Sequence, residues 1–369
     1  VFGGEELAGS VDLGTVGAGD DAAVRGMKFI GEVGEDHAGM VVASAGDTNG
    51  DGCGDFYVGA PGYDSGVLSE TGATYLVRIE IDESAPEGTP CAEDAWLDWS
   101  ADLSFASLQY VGAGNGEESG SAVASAGDFN GDGFADAIIG APNATETGAY
   151  TGAVYLILND PTLEGSIGLD EADVRWHGIN GGDQAGYALA TAGDQNLDGY
   201  EDIIIGAPGN DSGGAGSGAA FIVFGGPDTD ERYCAEGAIC DSLPLAAADA
   251  ILIGERGDDY AGGAVAGGSD IDQDGNPDVL VGSREEDSAG SDAGSASVLF
   301  GPLAGTVDMS SSLAKVHGLN AGDWTGASVA MGGDLNNDGY DDFMVGAPQL
   351  DIGEDYPDIG AVLIVKGGW

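Results

Sequence analysis

A chain of 369 residues, 42% of them hydrophobic, is long enough to bury a large core, and its length alone suggests two or three domains. Sixty-five acidic residues against nine basic ones give a formal charge of −56, which repels nucleic acid and anionic membranes. The acidic balance suits a soluble protein in salty surroundings, with a halophilic or marine source as one fit, and no apolar run approaches the ~18 residues of a transmembrane segment.

The chain starts abruptly at Val1-Phe2-Gly3-Gly4, as a processed product or a fragment would, with no leader. VFGG matches the ends of later strands (IVFGG at 222–226, VLFG at 298–301, IVKGG at 364–368) and reads as the tail of a repeat whose beginning is missing. After a Gly-rich link, MKFIGEVGEDHAG (27–39) opens the first full unit. Five units then follow one plan. A short strand ends in a Gly-acid turn (GEDHAG, GEESG, GDQAG, GDDYAG, GDWTG). A strand of small apolar residues follows (MVVASAGD, SAVASAGD, YALATAGD, GAVAGGSD, ASVAMGGD). Next come an Asp-rich nonapeptide, a third strand ending in GAP (GSR in the fourth unit), a polar loop of variable length, and a closing strand such as GAVYLIL or GAVLIVKGG.

The nonapeptides are DTNGDGCGD (47–55), DFNGDGFAD (128–136), DQNLDGYED (194–202), DIDQDGNPD (270–278) and DLNNDGYDD (334–342). Each carries Asp at position 1, Asn or Asp at 3, Asp at 5, Gly at 6 and Asp at 9. Ca²⁺ takes six to eight oxygens, and a loop with oxygen-bearing side chains at 1, 3, 5 and 9 plus one carbonyl at 7 can wrap around it. Mg²⁺ fits less well, because it keeps its waters and a strict octahedron. The first six positions also match an EF-hand loop, but that motif needs a bidentate Glu at position 12. Here position 12 holds Val58, Ile139, Ile205, Val281 and Val345, inside apolar runs that read as buried strands. The EF-hand is excluded. A solvated acidic turn remains the bland reading of one copy, and five copies in one context argue against it.

Four short strands per unit without helical periodicity give a repeated four-stranded antiparallel sheet, the blade of an all-β β-propeller. A β-solenoid is the weaker alternative because units of this length overshoot a solenoid rung, and tandem sandwiches lack linkers. Among the cysteines, Cys53–Cys91 with Cys234–Cys240 is the expected pairing of three possible connectivities, with free thiols as the alternative. Disulfides and a calcium requirement favour an extracellular or cell-surface address.

The pattern G-D-x-x-G … V-A-S-A-G-D … D-x-N-x-D-G-x-x-D … V-G-A-P … G-A-V-Y resembles the FG-GAP repeats of integrin α-subunit propellers and their bacterial relatives, over nearly the whole chain. The resemblance implies about five Ca²⁺ ions, one per repeat, each in the loop between a blade's first and second strands on the lower face. The implied ligands are Asp47, Asn49, Asp51, Asp55 and the Cys53 carbonyl; Asp128, Asn130, Asp132, Asp136 and the Phe134 carbonyl; Asp194, Asn196, Asp198, Asp202 and the Tyr200 carbonyl. The fourth site uses Asp270, Asp272, Asp274, Asp278 and the Asn276 carbonyl, and the fifth Asp334, Asn336, Asp338, Asp342 and the Tyr340 carbonyl. The fourth loop departs furthest, with Asp at position 3, Pro277 before the last ligand and GSR after it. Residues 1–369 then form a single propeller or part of one. Residues 1–34 form the end of a preceding repeat or a closing strand, and the repeats run over 35–111, 112–178, 179–254, 255–318 and 319–369. Integrin-like propellers have seven blades and this chain has five complete repeats. The strand near Met27–Ile30 is the outermost of a preceding blade in family register and is placed to close the ring by completing the last blade. The leftover VFGG argues instead either for upstream repeats in a longer product or for VFGG pairing elsewhere, such as with a neighbouring chain's exposed edge.

His177 and His317 hold equivalent repeat positions and His37 lies alone in a turn, which favours structural roles, and no GxSxG elbow with partners is present. The chain reads as non-enzymatic. The resemblance also places the inter-blade turns and the loops after GAP on the upper face, where a protein or carbohydrate ligand would dock. Those loops are rich in Asp, Ser, Thr and Tyr, and solvated loops are the bland alternative. Asn143-Ala144-Thr145 and Asn210-Asp211-Ser212 are short glycosylation sequons. The expected function is a calcium-binding adhesion or ligand-recognition module. The alternatives are a structural subunit of a surface filament assembling through strand edges, and a calcium-dependent lectin or accessory domain of a secreted enzyme.

Overall fold

A computed structural model describes residues 28–79, 100–145, 147–227, 242–351 and 358–368. Val1–Gly4, Cys91, Cys234 and Cys240, with the expectations placed on them, lie outside the described residues. Each repeat folds as a meander because its apolar runs are short, β-branched and separated by Gly-Asp turns. In the first repeat β2 (Val41–Gly46), β3 (Asp55–Ala60), β4 (Ala73–Val77) and β6 (Leu108–Val111) pair antiparallel in that order. The second repeats the plan with β7 (Ala122–Gly127), β8 (Asp136–Ala141), β9 (Ala153–Ile157) and β11 (Val174–His177). The third uses β12 (Ala188–Gly193), β13 (Asp202–Ala207), β14 (Ala219–Val223) and β16 (Ala250–Ile253). The fourth uses β17 (Ala264–Ser269), β18 (Asp278–Ser283), β19 (Ser295–Leu299) and β21 (Ala314–His317). In the fifth, β22 (Ser328–Gly333), β23 (Asp342–Ala347) and β24 (Ala361–Val365) pair antiparallel, with no fourth strand among the described residues.

The fold is the expected β-propeller architecture, with one addition. The connection leading to each fourth strand makes a short strand that pairs in parallel with the outer edge of the preceding sheet. Thus β10 (Gly165–Gly168) covers β6, β15 (Leu243–Pro244) covers β11, and β20 (Gly305–Asp308) covers β16. By the same scheme β5 (Ser100–Asp102) covers β1 (Lys28–Ile30), which places β1 as the outer strand of a blade before the first. A 3₁₀ turn follows each cap and drops one apolar side chain (Leu103, Leu169, Leu245 or Met309) into the core.

The core is divided among the clefts between successive sheets. Tyr57, Leu76, Tyr110 and Ile139 join the first two sheets, and Val154, Trp176, Ile205 and Phe221 the second and third. Ile204, Ile222, Leu252 and Val281 join the third and fourth, and Leu280, Val298, Phe343 and Val345 the fourth and fifth. Sheets approach closely because Gly59, Gly140 and Gly206, each before an Ala-Pro, lie against the neighbour's backbone: a Cβ on Gly140 or Gly206 would stand 2.1 Å from the carbonyl oxygen of Gly186 or Gly262. The inner strands β2, β7, β12, β17 and β22 pack in chain order. Among the described residues no pairing joins β24 to β1.

Candidate metal centres and the opposite face

The five acidic loops connect the first and second strands of each blade, and a β-bulge at the end of the first strand (between Ser44 and Gly46 in the first blade) turns the chain into them. Within each loop the carboxylates are held by backbone N–H groups. The position-1 Asp accepts from the Gly at position 6, at 2.8 Å for Asp47, 3.0 Å for Asp128 and 2.8 Å for Asp194. Asp270 and Asp334 do the same at 2.9 and 2.8 Å. That Gly adopts φ between +85° and +95° in all five loops, which a Cβ would disfavour. The position-5 Asp accepts from the N–H at position 7 (2.8 Å from Cys53, 2.9 Å from Phe134), so the residue at position 7 is anchored where its carbonyl was expected to ligate. The same bond fixes Tyr200, Asn276 and Tyr340. At position 3, Asn49, Asn130 and Asn196 each bridge to the position-5 carboxylate. Asn336 instead donates to both oxygens of Asp342, at 3.2 and 3.0 Å.

The position-9 Asp has a second task that its place in the motif did not reveal. Asp55, Asp136, Asp202, Asp278 and Asp342 are all buried. One oxygen accepts from the N–H at loop position 2, as Phe129 donates to Asp136 at 3.0 Å. The other accepts from the second residue beyond the third strand, as Asn159 donates to Asp136 at 2.9 Å. Each such residue therefore staples its loop to its own sheet. Burial pushes Asp136 up to about 8, Asp202 to about 7 and Asp278 to about 6, against backbone hydrogen bonds that lower them. Neighbouring carboxylates at positions 1, 3 or 5 push the same way, so these three pockets concentrate negative charge.

The donor set fits a hard cation. In the fourth loop one carboxylate oxygen each from Asp270, Asp272 and Asp278 lies within 4.8 Å of the others, so the loop that departs furthest in sequence gathers these acids. In the second loop Asp128 Oδ1 is buried without a hydrogen-bond partner. An oxygen ligand set of this kind suits Ca²⁺ more than a softer metal.

Arg78 was not singled out by its sequence context. Its buried guanidinium donates to Thr48 Oγ1 at 3.2 Å and to the carbonyls of Asp160, Pro161 and Leu163 at 3.1, 3.3 and 3.1 Å, tying the first loop to the second repeat. Asn159 also links repeats, through Tyr110 and Tyr57 at 2.9 and 3.0 Å. Cys53 is disulfide-bonded, which agrees with the expectation of a disulfide; its expected partner Cys91 lies outside the described residues.

At the opposite end of the blades, the turn after each fourth strand is laced to the loop of the blade before. Gln184 N–H donates to the Tyr150 carbonyl at 3.0 Å, Tyr260 to Gly216 at 3.0 Å and Trp324 to Asp292 at 3.3 Å. The polar loops expected on one face are thus brought together. Tyr150 and Tyr187 are exposed there, and Arg284 stacks 5.6 Å from the Trp324 ring. The sequon at Asn210 is overturned: Asn210 is fully buried and its amide donates to Asp183 Oδ2 at 3.0 Å, whereas Asn143 is half-buried. His177 and His317 end equivalent strands, and His317 Nδ1 lies 3.5 Å from Glu286 Oε2.

The FG-GAP repeat pattern matches residues 38–77, 119–157, 185–223, 261–299 and 325–365, together more than half of the chain. Integrin alpha pat-2 of Caenorhabditis briggsae is 33% identical over 192 residues, covering 48% of this chain and 14% of the relative. Integrin alpha-6 of Gallus gallus is 32% identical over 168 residues (43% and 13%). A phosphatidylinositol-glycan-specific phospholipase D of Dictyostelium discoideum is 26% identical over 353 residues, covering 86% of this chain and 33% of the relative. The chain therefore spans a third or less of these relatives. With five matched repeats, each folded as one blade and each holding one acidic loop at the same turn, the chain belongs to the FG-GAP repeat family of integrin alpha-like β-propellers.

Proposed function

We propose that this chain is a non-enzymatic recognition module of the cell surface or extracellular space, made rigid by about five Ca²⁺ ions. The residues that would hold them are the side chains at positions 1, 3, 5 and 9 of each loop with the carbonyl at position 7, as enumerated from the sequence. Bound there, Ca²⁺ would supply the positive charge that sixteen clustered loop carboxylates lack. Five such ions would offset ten charges and leave roughly −46. The observation that carries this reading is the convergence of Asp270, Asp272 and Asp278 in a loop whose backbone already orients each carboxylate. Likeness to integrin alpha chains and the disulfide at Cys53 support the extracellular address.

The ligand face in this reading is the end opposite the acidic loops, where exposed Tyr150 and Tyr187 sit among acidic and hydroxylic loops suited to basic or hydroxyl-rich groups on a protein. Calcium titration by calorimetry with elemental analysis tests the metal part. About five ions per chain are expected, and Asp132→Asn should remove one; a chain that retains no calcium after buffer exchange refutes it. Tyr150→Ala with Tyr187→Ala should weaken ligand binding and leave the calcium count unchanged.

A second reading, an accessory propeller of a secreted enzyme, rests on the 86% coverage of this chain by the phospholipase relative. A glycan array tests the associated lectin variant, and absence of binding to every sugar removes it.

A further inference from the structure

We propose that the acidic loops, given the calcium reading above on which this rests, fill cooperatively, each loop holding the first ligand of the loop before it. The contacts run directly between residues that carry ligands. The N–H of Ala135, at position 8 of the second loop, donates at 3.2 Å to the carbonyl of Asp47, at position 1 of the first. Glu201 of the third loop donates to Asp128 of the second in the same way, at 3.5 Å. Position 1 is thus held twice, its carboxylate by the Gly at position 6 of its own loop and its carbonyl by the next loop. Position 8 lies between the carbonyl ligand at 7 and the carboxylate ligand at 9, so fixing those two ligands fixes the donor. Side chains reinforce the link. The Phe134 ring covers Gly50 and the Tyr200 ring covers Gly131, each at position 4 of the loop before. A Cβ on Gly50 would stand 3.0 Å from Phe134 Cε1, and one on Gly131 nearer still to the Tyr200 ring. The third blade adds a further tie to the second loop, where Gly226 N–H donates to the Phe129 carbonyl at 2.8 Å.

Where the sequence changes, the chemistry of the link changes and the link persists. The fourth loop has Pro277 at position 8, which has no N–H to give Asp194. There the bond runs the other way. Gln195, fully buried at position 2 of the third loop, donates its amide to the Pro277 carbonyl at 2.8 Å and to the Ala192 carbonyl at 2.9 Å. Its side-chain oxygen accepts from the N–H of Leu303 at 3.2 Å, on the segment beyond the fourth blade's third strand. Between the fourth and fifth loops, Gln273 at position 4 donates to the Gly339 carbonyl at position 6. All four adjacent pairs are joined, two through backbone donors and two through a glutamine. An empty loop gathers three or four carboxylates, and their repulsion and the ordering of the backbone both oppose the closed geometry. A neighbour that is already closed has fixed part of that backbone, so the next ion meets a smaller ordering cost and binds more tightly. Repulsion between ions in adjacent loops acts in the opposite sense, but salt screens it and does not screen the contacts.

Hydrogen exchange across a calcium titration, read on peptides covering 47–55, 128–136 and 194–202, gives a midpoint for each loop. The measurement belongs at roughly 1 M salt, where the Debye length is about 3 Å and repulsion between ions is screened. Asp198→Asn removes a ligand from the third loop alone, and should raise the midpoint of 128–136 by about tenfold, inside the 5–150-fold span usual for coupled sites. Coupling is reciprocal, so Asp132→Asn should raise the midpoint of 194–202 by the same factor. Tyr200→Ala leaves every ligand in place, because position 7 is read to ligate through its carbonyl, and should also raise the midpoint of 128–136. Tyr200→Phe, which keeps the ring as Phe134 does, should hold the parent value. A midpoint at 128–136 that Asp198→Asn leaves unmoved, or lowers, overturns the proposal. Equal effects of Tyr200→Ala and Tyr200→Phe overturn the part given to the ring. Five ions bound at independent midpoints would sink the coupling and leave the calcium reading standing, whereas a chain that binds no calcium refutes that reading and the coupling with it.

Discussion

Position 4 of the acidic loop lies in the left-handed region in every repeat, at φ +76° in Gly50, +79° in Gly131, +57° in Leu197, +61° in Gln273 and +59° in Asn337. Leucine is the residue least suited to it, because its Cβ crowds the following carbonyl at a cost of about 1–2 kcal/mol. The Leu197 side chain is 60% exposed, so little packing offsets that cost. Leu197→Gly is expected to raise stability by about 1 kcal/mol, read as a higher denaturation midpoint at unchanged calcium count. Asp259 gives a pH signature away from the loops. Burial, with Glu286 adding to it, pushes its carboxyl up to about 6, against an N–H bond from Arg256 at 3.1 Å. A carboxyl whose folded value lies above its unfolded one opposes folding when ionised. That penalty is present above about pH 6 and is relieved as pH falls through 6 toward the ordinary carboxylate range. Asp259→Asn should therefore melt higher than the parent at pH 8, and the difference should shrink by pH 5. A difference independent of pH would exclude this source.

At the scale of elements, most of each blade was legible because strand and loop chemistry are local. GAP ends the second strand of four of the five sheets, at β3, β8, β13 and β23, and VASAGD supplies the inner strand and its bulge. The parallel caps were missed. Four-residue segments such as GSIG (165–168) carry little strand propensity and form only because a neighbouring sheet offers an open edge. A signal did exist: Leu103, Leu169, Leu245 and Met309 each stand five residues before a fourth strand. The Gly-to-carbonyl approach between sheets makes a further prediction. Gly206→Ala would put a Cβ 2.1 Å from the Gly262 carbonyl oxygen, both on backbone, and should cost about 3 kcal/mol or prevent folding. Gly34→Ala, which meets nothing within 4 Å, is the matched control and should change little. Equal melting of the two variants would contradict the packing described.

For the whole molecule, the acidic loops and the inter-sheet cores form one mechanical system. Each loop is fastened to its sheet by its position-9 Asp, and Arg78 carries the first loop across to the second repeat. Calcium at 100 times its dissociation constant contributes about 2.7 kcal/mol per site by mass action. Chelation by EDTA should therefore lower the melting temperature substantially and in proportion to the number of sites emptied, with Asp132→Asn losing a smaller share on chelation than the parent. Melting indifferent to EDTA would count against the metal reading.

The sequence by itself determined the repeat, the blade plan and which carboxylates share a loop, since all three are written within nine to seventy residues of chain. It also determined that position 6 must be Gly, because that conformation is a property of one residue. Tertiary structure alone decided that the position-9 Asp holds two backbone N–H groups from separate segments, that Asn210 is buried against Asp183, and that Arg78 clamps a second repeat. These depend on which surfaces meet across distant parts of the chain, and local propensity carries no record of that meeting.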